Sequence, residues 1–260
     1  MEDVMFKNII VRKPSKTICK GITSSPELGQ PNYEIALKQH LAYINALKSC
    51  DVNVIELEAL EEFPDSCFVE DIAVLTKECA IITNPGALSR NKEIEYIINV
   101  IEQFYPKNKI EYIKSPGTLD GGDVMMVGNH FYIGKSDRTN KEGINQFISI
   151  LTKYNLFGSE VTLNEVLHLK TGINYIENNN ILVSGEFIDK NEFKNFNKII
   201  VQDNESYAAN CIWINGTVII PFGYPQVQKK IQNLGYKTIT VDTSEFKKID
   251  GGLSCLSLRF

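Results

Sequence analysis

The chain has 260 residues, 43% hydrophobic and 23% charged, with a formal net charge of −5. That length is enough to bury a sizeable core in one large domain or two small ones, and no run of about 18 apolar residues is available to span a bilayer. An acidic chain is a poor match for a polyanion such as nucleic acid, which selects a basic face, and is compatible with a small cationic substrate.

The opening stretch MEDVMFKNIIVRK places acidic residues first and has no long apolar region, so an export signal is not expected. Residues 33–49 set Leu37, Leu41, Ile44 and Leu47 at the spacing of an amphipathic helix. Residues 89–104, 141–154 and 225–234 read as further helices, the second of these with Ile144, Phe147, Ile148 and Leu151 on one face. Short β-rich runs lie between them, at 7–11, 52–57, 71–76, 79–83, 109–113, 123–127, 130–134, 180–185, 197–201, 211–214, 216–221 and 237–241. The close pairs DIAVLT/CAIIT, DVMMV/HFYIG and CIWI/GTVII read as hairpins, with Gly128-Asn129 and Asn215-Gly216 as two-residue turns. The rhythm is two adjacent strands, a helix and another strand, repeated in four or five units of about 50 residues, as in a pseudo-symmetric array. A doubly wound sheet is the alternative; it predicts fewer hairpins and longer parallel crossovers. No composition shift or linker marks a domain boundary.

The six cysteines, Cys19, Cys50, Cys67, Cys79, Cys211 and Cys255, form no CxxC pair. They read as separate thiols of a cytoplasmic protein, where thiols stay reduced, and not as a disulfide framework.

Several stretches combine polar residues with loop and strand signals. FPDSCFVEDIAV (63–74) interleaves Asp65, Glu70 and Asp71 with Phe68. Carboxylates before a strand commonly cap or turn; here they could also form a cation pocket with an aromatic wall. DGGD at 120–123 is a turn when it stands alone, and it lacks the spacing of a phosphate loop. His168, one of three histidines, is flanked by Leu167 and Leu169, as a core histidine would be. Arg90 and Arg138 are suited to clamping a carboxylate, although isolated arginines are usually solvated. Cys255, in DGGLSCLSLRF (250–260), is a buried thiol on one reading and a nucleophile served by a distant histidine and carboxylate on the other. A metal site from His168, Cys255 and a carboxylate is disfavoured, because no HxxxH, HxH or CxxC is present.

Taken in order, FPDSCFVEDIAV, NPGALSR, SPGTLDGGDVMMVG, SDRTN, LHLKTG, SYAANCIWIN and KIDGGLSCLSLRF resemble the dimethylarginine dimethylaminohydrolase family in its bacterial form, over essentially the whole chain. That family belongs to the guanidine-modifying, or pentein, superfamily. The resemblance implies an α/β fold: a five-bladed propeller of ββαβ units with pseudo-fivefold symmetry, and a single catalytic domain over 1–260. It implies hydrolysis of Nω,Nω-dimethyl-L-arginine or Nω-methyl-L-arginine to L-citrulline and the amine, through a covalent thiouronium on Cys255. His168 matches the general acid/base and Asp120 the carboxylate beside it, where some bacterial members carry the longer Glu. Asp71 matches the carboxylate that holds the guanidinium, with Glu70 its neighbour. Asp65 matches the acid that receives the α-ammonium, Arg90 and Arg138 the arginines near the α-carboxylate, Phe68 an aromatic wall and Ile22 a lid residue. The main chain at Ile249 and Asp250 matches the pocket lining, and the glycines before Cys255 read as letting the backbone approach the substrate. No metal or organic cofactor, nucleic acid or membrane is implied; the partner is a small molecule, and a homodimer is compatible with the chain. Arginine deiminase, or another guanidine hydrolase or amidinotransferase on the same fold, is the near alternative. A metal-dependent hydrolase and a non-catalytic binding protein are the alternatives of other classes.

Overall fold

The computed structural model of the chain describes residues 6–260; residues 1–5, the start of the stretch read above as no export signal, lie outside the described residues. The expected repeat is present as five separate three-stranded sheets, and not as one doubly wound sheet. In every sheet the central strand pairs antiparallel with one neighbour and parallel with the other. In four of the sheets the antiparallel neighbour is the adjacent strand in sequence, joined by a short turn, whereas the parallel one needs a crossover. The strand order and the count of five are those of the expected ββαβ units.

The chain divides into two compact units. One runs from the first described residues to Val69 and takes in Gly172–Arg259; the other is Glu70–Thr171 with Phe260. The first unit holds three sheets, centred on Asn8–Arg12, Asn180–Val183 and Thr217–Pro221. The sheet of Asn8–Arg12 takes its antiparallel strand, Leu258–Arg259, from the chain's C-terminal end. The second unit holds two sheets, centred on Ala80–Ile82 and His130–Lys135.

The three hairpins read from the sequence form as expected, and the turn at Asn215-Gly216 has φ of 45° and 89°, as a two-residue hairpin turn requires. Helices occupy Tyr33–Lys48, Lys141–Lys153 and Pro225–Asn233, close to expectation. The helix expected at 89–104 is different: it is a 3-10 helix, Leu88–Tyr96, followed by one α-helical turn, Ile98–Ile101. In a 3-10 helix side chains at i and i+3 eclipse, and that geometry stacks Arg90 and Glu93 as a buried ion pair. The first helix also differs in its inner face. Ala36, His40, Tyr43, Ile44 and Leu47 are buried, while Leu41 is 57% exposed. Three strands lie outside the β-rich runs read from the sequence: Phe157–Thr162, an edge strand with an exposed Phe157, the three-residue Ile173–Tyr175 and the two-residue Leu258–Arg259.

In the first unit Ile9, Val11, Tyr43, Leu47, Phe246, Leu253 and Leu256 form one apolar cluster, and Leu182, Val218, Ile220 and Ile231 belong to another. In the second unit Ile81, Leu119, Phe131, Ile144, Phe147 and Leu151 fill the core.

Candidate active site

In the second unit, the stretch before the strand Ala73–Leu75 is a 3-10 turn, Val69–Ile72, that buries both Glu70 and Asp71. The Thr83 hydroxyl donates to the Asp71 carbonyl at 2.6 Å and pins the turn. The Asp71 carboxylate accepts from Arg90 Nη1 at 2.6 Å through Oδ2 and from the Gly122 N–H at 3.0 Å through Oδ1. Arg90 also donates to Glu93 through Nε at 3.0 Å and Nη2 at 2.8 Å. Arg90, Asp71 and Glu93 are all buried, and buried charges persist only when their partners are this complete. Burial alone would disfavour the guanidinium, but Glu93 and Asp71 outweigh it and raise the Arg90 pKa.

The DGGD stretch places its acids on either side of a backbone that must pass close to other groups. A Cβ on Gly121 would lie 2.0 Å from the Glu70 carbonyl oxygen, and one on Gly122 would lie 2.9 Å from Asp71 Oδ1 and 3.1 Å from the His168 ring. Asp120 is buried, and its Oδ2 lies 2.9 Å from His168 Nε2, so the shorter carboxylate still reaches the imidazole. Asp120 Oδ1 accepts from the Gly86 N–H at 2.8 Å. Asp123, fully buried, accepts from the Leu169 N–H at 2.9 Å and the Ser136 hydroxyl at 2.6 Å. Arg138 is half-buried two residues beyond Ser136, and its N–H donates to the same Ser136 oxygen at 3.1 Å.

These surroundings set the protonation of the pair. Burial opposes a charged His168, but the hydrogen bond to Asp120 and the negative fields of Asp123 and Asp71 outweigh it and push the imidazole up to about 9. Burial likewise works against the Asp120 carboxylate, and the bond from His168 prevails and lowers its pKa. The pair is therefore an imidazolium against a carboxylate at neutral pH. Burial pushes the Asp123 carboxyl above its ordinary range. Donor atoms of Asp71, Asp120 and His168 all lie within 4.8 Å of one another. That spacing is short enough for a metal, but each of these groups already has charged or N–H partners.

In the first unit, Ile22, Asp65, Ile249 and Asp250 come together around the loop that follows Lys16–Lys20. The buried Asp65 accepts from the Ile22 N–H at 3.0 Å. Asp250, at φ of 58°, accepts from the Ser24 N–H at 2.6 Å and its hydroxyl at 3.0 Å. A Cβ on Gly21 would lie 3.0 Å from Asp65 and 3.1 Å from the Ile249 side chain. The loop is thus fastened on both sides of Thr23, with Ile22 37% exposed above it.

Cys255 lies on the 3-10 turn Ser254–Leu256 and is half-buried. The Gly252 N–H donates to its Sγ at 3.4 Å. The two preceding glycines answer to packing: a Cβ on Gly251 would lie 2.3 Å from the Phe68 ring, and one on Gly252 would lie 2.5 Å from the Asn210 side chain. Asn210 Oδ1 accepts from the Ser254 N–H at 2.9 Å, and the Tyr207 hydroxyl donates to the Gly251 carbonyl at 2.8 Å. Burial raises the Tyr207 pKa, which keeps it a neutral donor. Behind Cys255, Leu256 and Leu258 are buried, and Tyr43 Oη bridges the Leu253 carbonyl at 3.1 Å and Ser257 Oγ at 2.7 Å.

Glu93, Asp123, Tyr207 and Asn210, together with Lys170, whose Nζ lies 2.6 Å from Glu70 Oε1, are members of these clusters that the motifs alone do not single out. Their signals are the second acid of DGGD, the i+3 partner of Arg90, the lysine of LHLKT, and the tyrosine and asparagine of SYAAN.

A family model described as N,N dimethylarginine dimethylhydrolase, eukaryotic, matches residues 23–215. The chain belongs to the dimethylarginine dimethylaminohydrolase family. It is 57% identical over 256 residues to the N(G),N(G)-dimethylarginine dimethylaminohydrolase of Pseudomonas aeruginosa, covering 98% of this chain and 100% of that protein. It is 29% identical over 254 residues to the corresponding protein of Streptomyces coelicolor, covering 97% of this chain and 96% of that one. The Pseudomonas aeruginosa enzyme, solved as a cysteine-to-serine mutant with citrulline, superimposes with a TM-score of 0.97 over 98% of this chain and 100% of that one, at 57% identity. The N-terminal domain of the cyanobacterial arginine dihydrolase ArgZ shares the fold at 18% identity, with a TM-score of 0.85 over 98% of this chain and 97% of that one. The five sheets are those of the pentein fold.

Proposed function

We propose that this family member hydrolyses Nω,Nω-dimethyl-L-arginine, and Nω-methyl-L-arginine, to L-citrulline and dimethylamine or methylamine. The observation that carries the chemistry is the His168–Asp120 pair at 2.9 Å, an imidazolium held at neutral pH beside the buried Asp71 carboxylate. The family supplies the substrate class.

The guanidinium is planar, cationic and resonance-stabilised, so its carbon is a poor electrophile unless the cation is kept and aligned. Asp71 and Asp120 carry the negative charge for that, and opposite charges attract far more strongly in a desolvated site than in water. Asp65 receives the α-ammonium, Arg90 and Arg138 act toward the α-carboxylate, and Phe68, Glu70, Ile22, Ile249 and Asp250 complete the binding surface. Arg90 has a further duty, since its bond to Asp71 fixes the oxygen geometry of that carboxylate.

Cys255 is the nucleophile, acting as the thiolate. Its sulfur adds to the guanidinium carbon. His168 gives its proton to the dimethylamino nitrogen, the C–N bond breaks and dimethylamine leaves. A cationic thiouronium remains on Cys255. Neutral His168 then takes a proton from water as the oxygen adds to the same carbon. The C–S bond breaks, the thiolate returns, and the remaining hydroxyl proton passes to solvent, leaving the ureido group of citrulline. General acid/base assistance of this kind is worth roughly 10²–10⁴-fold. All six cysteines carry free thiols, which suits the proposed cytoplasmic setting. Among the described residues no helix is long and apolar enough to cross a membrane. One catalytic domain over 1–260, assembled as a homodimer, is the proposed working unit, checked by sedimentation of the active protein.

The test is product analysis with dimethylarginine and arginine in parallel. Citrulline plus dimethylamine, abolished by Cys255→Ser, is the expected result. Citrulline plus ammonia from arginine alone would make the enzyme a deiminase.

A further inference from the structure

Three pairs of consecutive residues in the second unit are joined end to end: Glu70-Asp71, Gly122-Asp123 and Leu169-Lys170. Asp71 Oδ1 accepts from the Gly122 N–H at 3.0 Å. Asp123 Oδ1 accepts from the Leu169 N–H at 2.9 Å. Lys170 Nζ meets Glu70 Oε1 at 2.6 Å and returns to the starting pair. The links form a closed ring, and all six of its residues are buried.

Each corner carries or adjoins a reactive group. Asp71 is itself a corner, Asp120 lies two residues before Gly122, and His168 immediately precedes Leu169. His168 sits in the bend immediately before a four-residue helix, Leu169–Gly172, which is too short to hold its own orientation. Two ring bonds fix it from outside, at Leu169 N–H and at the Lys170 ammonium. The Lys170–Glu70 contact is the ring's one ion pair. Ion pairs this buried stabilise weakly for their cost, and their better-attested use is to fix registry.

We propose that Lys170 is a positioning residue of this enzyme: its ion pair with Glu70 closes the ring that holds His168 in register with Asp71 and Asp120. The inference rests on the reading of His168 as the acid/base, and one readout must therefore be independent of turnover.

The test uses the full chain carrying Lys170→Met, Lys170→Arg, or the paired Glu70→Gln/Lys170→Met, which removes the ion pair without leaving a buried unpaired charge. Two quantities are read: kcat and KM on dimethylarginine, and the His168 ring titration by NMR. With three histidines in the chain, His168→Gln assigns the signal. Misplacement on the order of 1 Å can cost about 100-fold, so Lys170→Met should lower kcat by about that factor, with a much smaller change in KM. Lys170→Arg should restore most of kcat. The titration gives a sign test. The charges facing the ring are Asp120, Asp123 and Asp71, which raise its midpoint; removing a nearby cation would by itself raise it further, because a positive neighbour disfavours the imidazolium. Loosening its contact with Asp120 lowers that midpoint below about 9, and a fall in both Met variants is expected. Unchanged kcat with an unchanged or raised midpoint would overturn the proposal. So would failure of both Met variants to fold, which would assign the pair to core stability alone. If the wild-type chain does not turn over dimethylarginine, the substrate reading fails and the midpoint still decides the ring.

Discussion

The Nε2 of His168 lies 2.9 Å from Oδ2 of Asp120, and the other Asp120 oxygen is held by the Gly86 N–H at 2.8 Å. The carboxylate is therefore fixed at both ends before any substrate arrives. Its charge keeps the imidazole protonated, which is what the departure of an amine requires.

Asp120→Asn should keep the shape and remove the charge. Loss of the acid step predicts a fall in kcat of roughly 10²–10⁴-fold, with the His168 midpoint dropping from about 9 toward the ordinary 6.5. Steady-state kinetics and a histidine NMR titration on the same sample check both halves.

The two ends of the pH scale should report different histidines. The folded His168 titrates near 9, above its ordinary 6.5. Its protonation thus stabilises the fold fully below about pH 6.5, and that contribution is lost as pH rises through about 9. The buried His40 is driven the other way, down to about 4 by burial and by Lys13. It stays neutral in the fold, so the fold loses stability as pH falls from about 6.5 to about 4. Thermal unfolding against pH should show both limbs. His168→Gln should flatten the alkaline one and His40→Leu the acid one. Matching curves for wild type and variants would contradict the assignments.

Two adjacent glycines should separate stability from activity. Gly121→Ala drives a methyl group against the Glu70 carbonyl at 2.0 Å, and overpacking of that kind costs roughly 3 kcal/mol. Gly122→Ala instead crowds the Asp71 carboxylate at 2.9 Å and the His168 ring at 3.1 Å, so it should lower kcat more than it lowers Tm. Denaturant melts alongside kinetics distinguish the two.

Much of this was legible in the sequence. The hairpins could be read because AIIT-like runs alternate with tight turns, and the helix at 33–48 because its apolar spacing is regular. What could not be read depends on partners far away in sequence. Phe157–Thr162 is a strand only because His130–Lys135 pairs with it. Leu88–Tyr96 is a 3-10 helix whose Arg90 pairs with Glu93 and with Asp71, a partner from another segment of the chain. The candidate site residues rest on family resemblance in the motifs. Their supports do not, because Asp123, Lys170 and Asn210 act through hydrogen bonds to backbone or to another buried side chain, for which local sequence carries no periodic signal.

The terminal segment holds Cys255 from behind. Deleting residues 256–260 removes the buried Leu256 and Leu258 and the strand pairing of Ile9 with Arg259 and Ile10 with Leu258, and should abolish activity. Leu256→Ala should cost about 2–5 kcal/mol. Tyr43→Phe, which cuts the bridge to Leu253 and Ser257, should cost about 1 kcal/mol and lower kcat with it. An active truncation would show that the nucleophile needs no such anchor.

The chemistry assigned to Cys255 also separates this enzyme from a metal hydrolase. A chelator should leave turnover unchanged, whereas iodoacetamide should abolish it with substrate protecting against the loss. The most direct measurement is intact-protein and peptide mass spectrometry after rapid acid quench of the enzyme during turnover of dimethylarginine. The account predicts a transient adduct on the peptide containing Cys255, retaining the amino-acid part of the substrate and lacking dimethylamine, and absent from Cys255→Ser. Turnover to citrulline with no adduct at any quench time, or an active Cys255→Ser, would contradict covalent catalysis by this thiol.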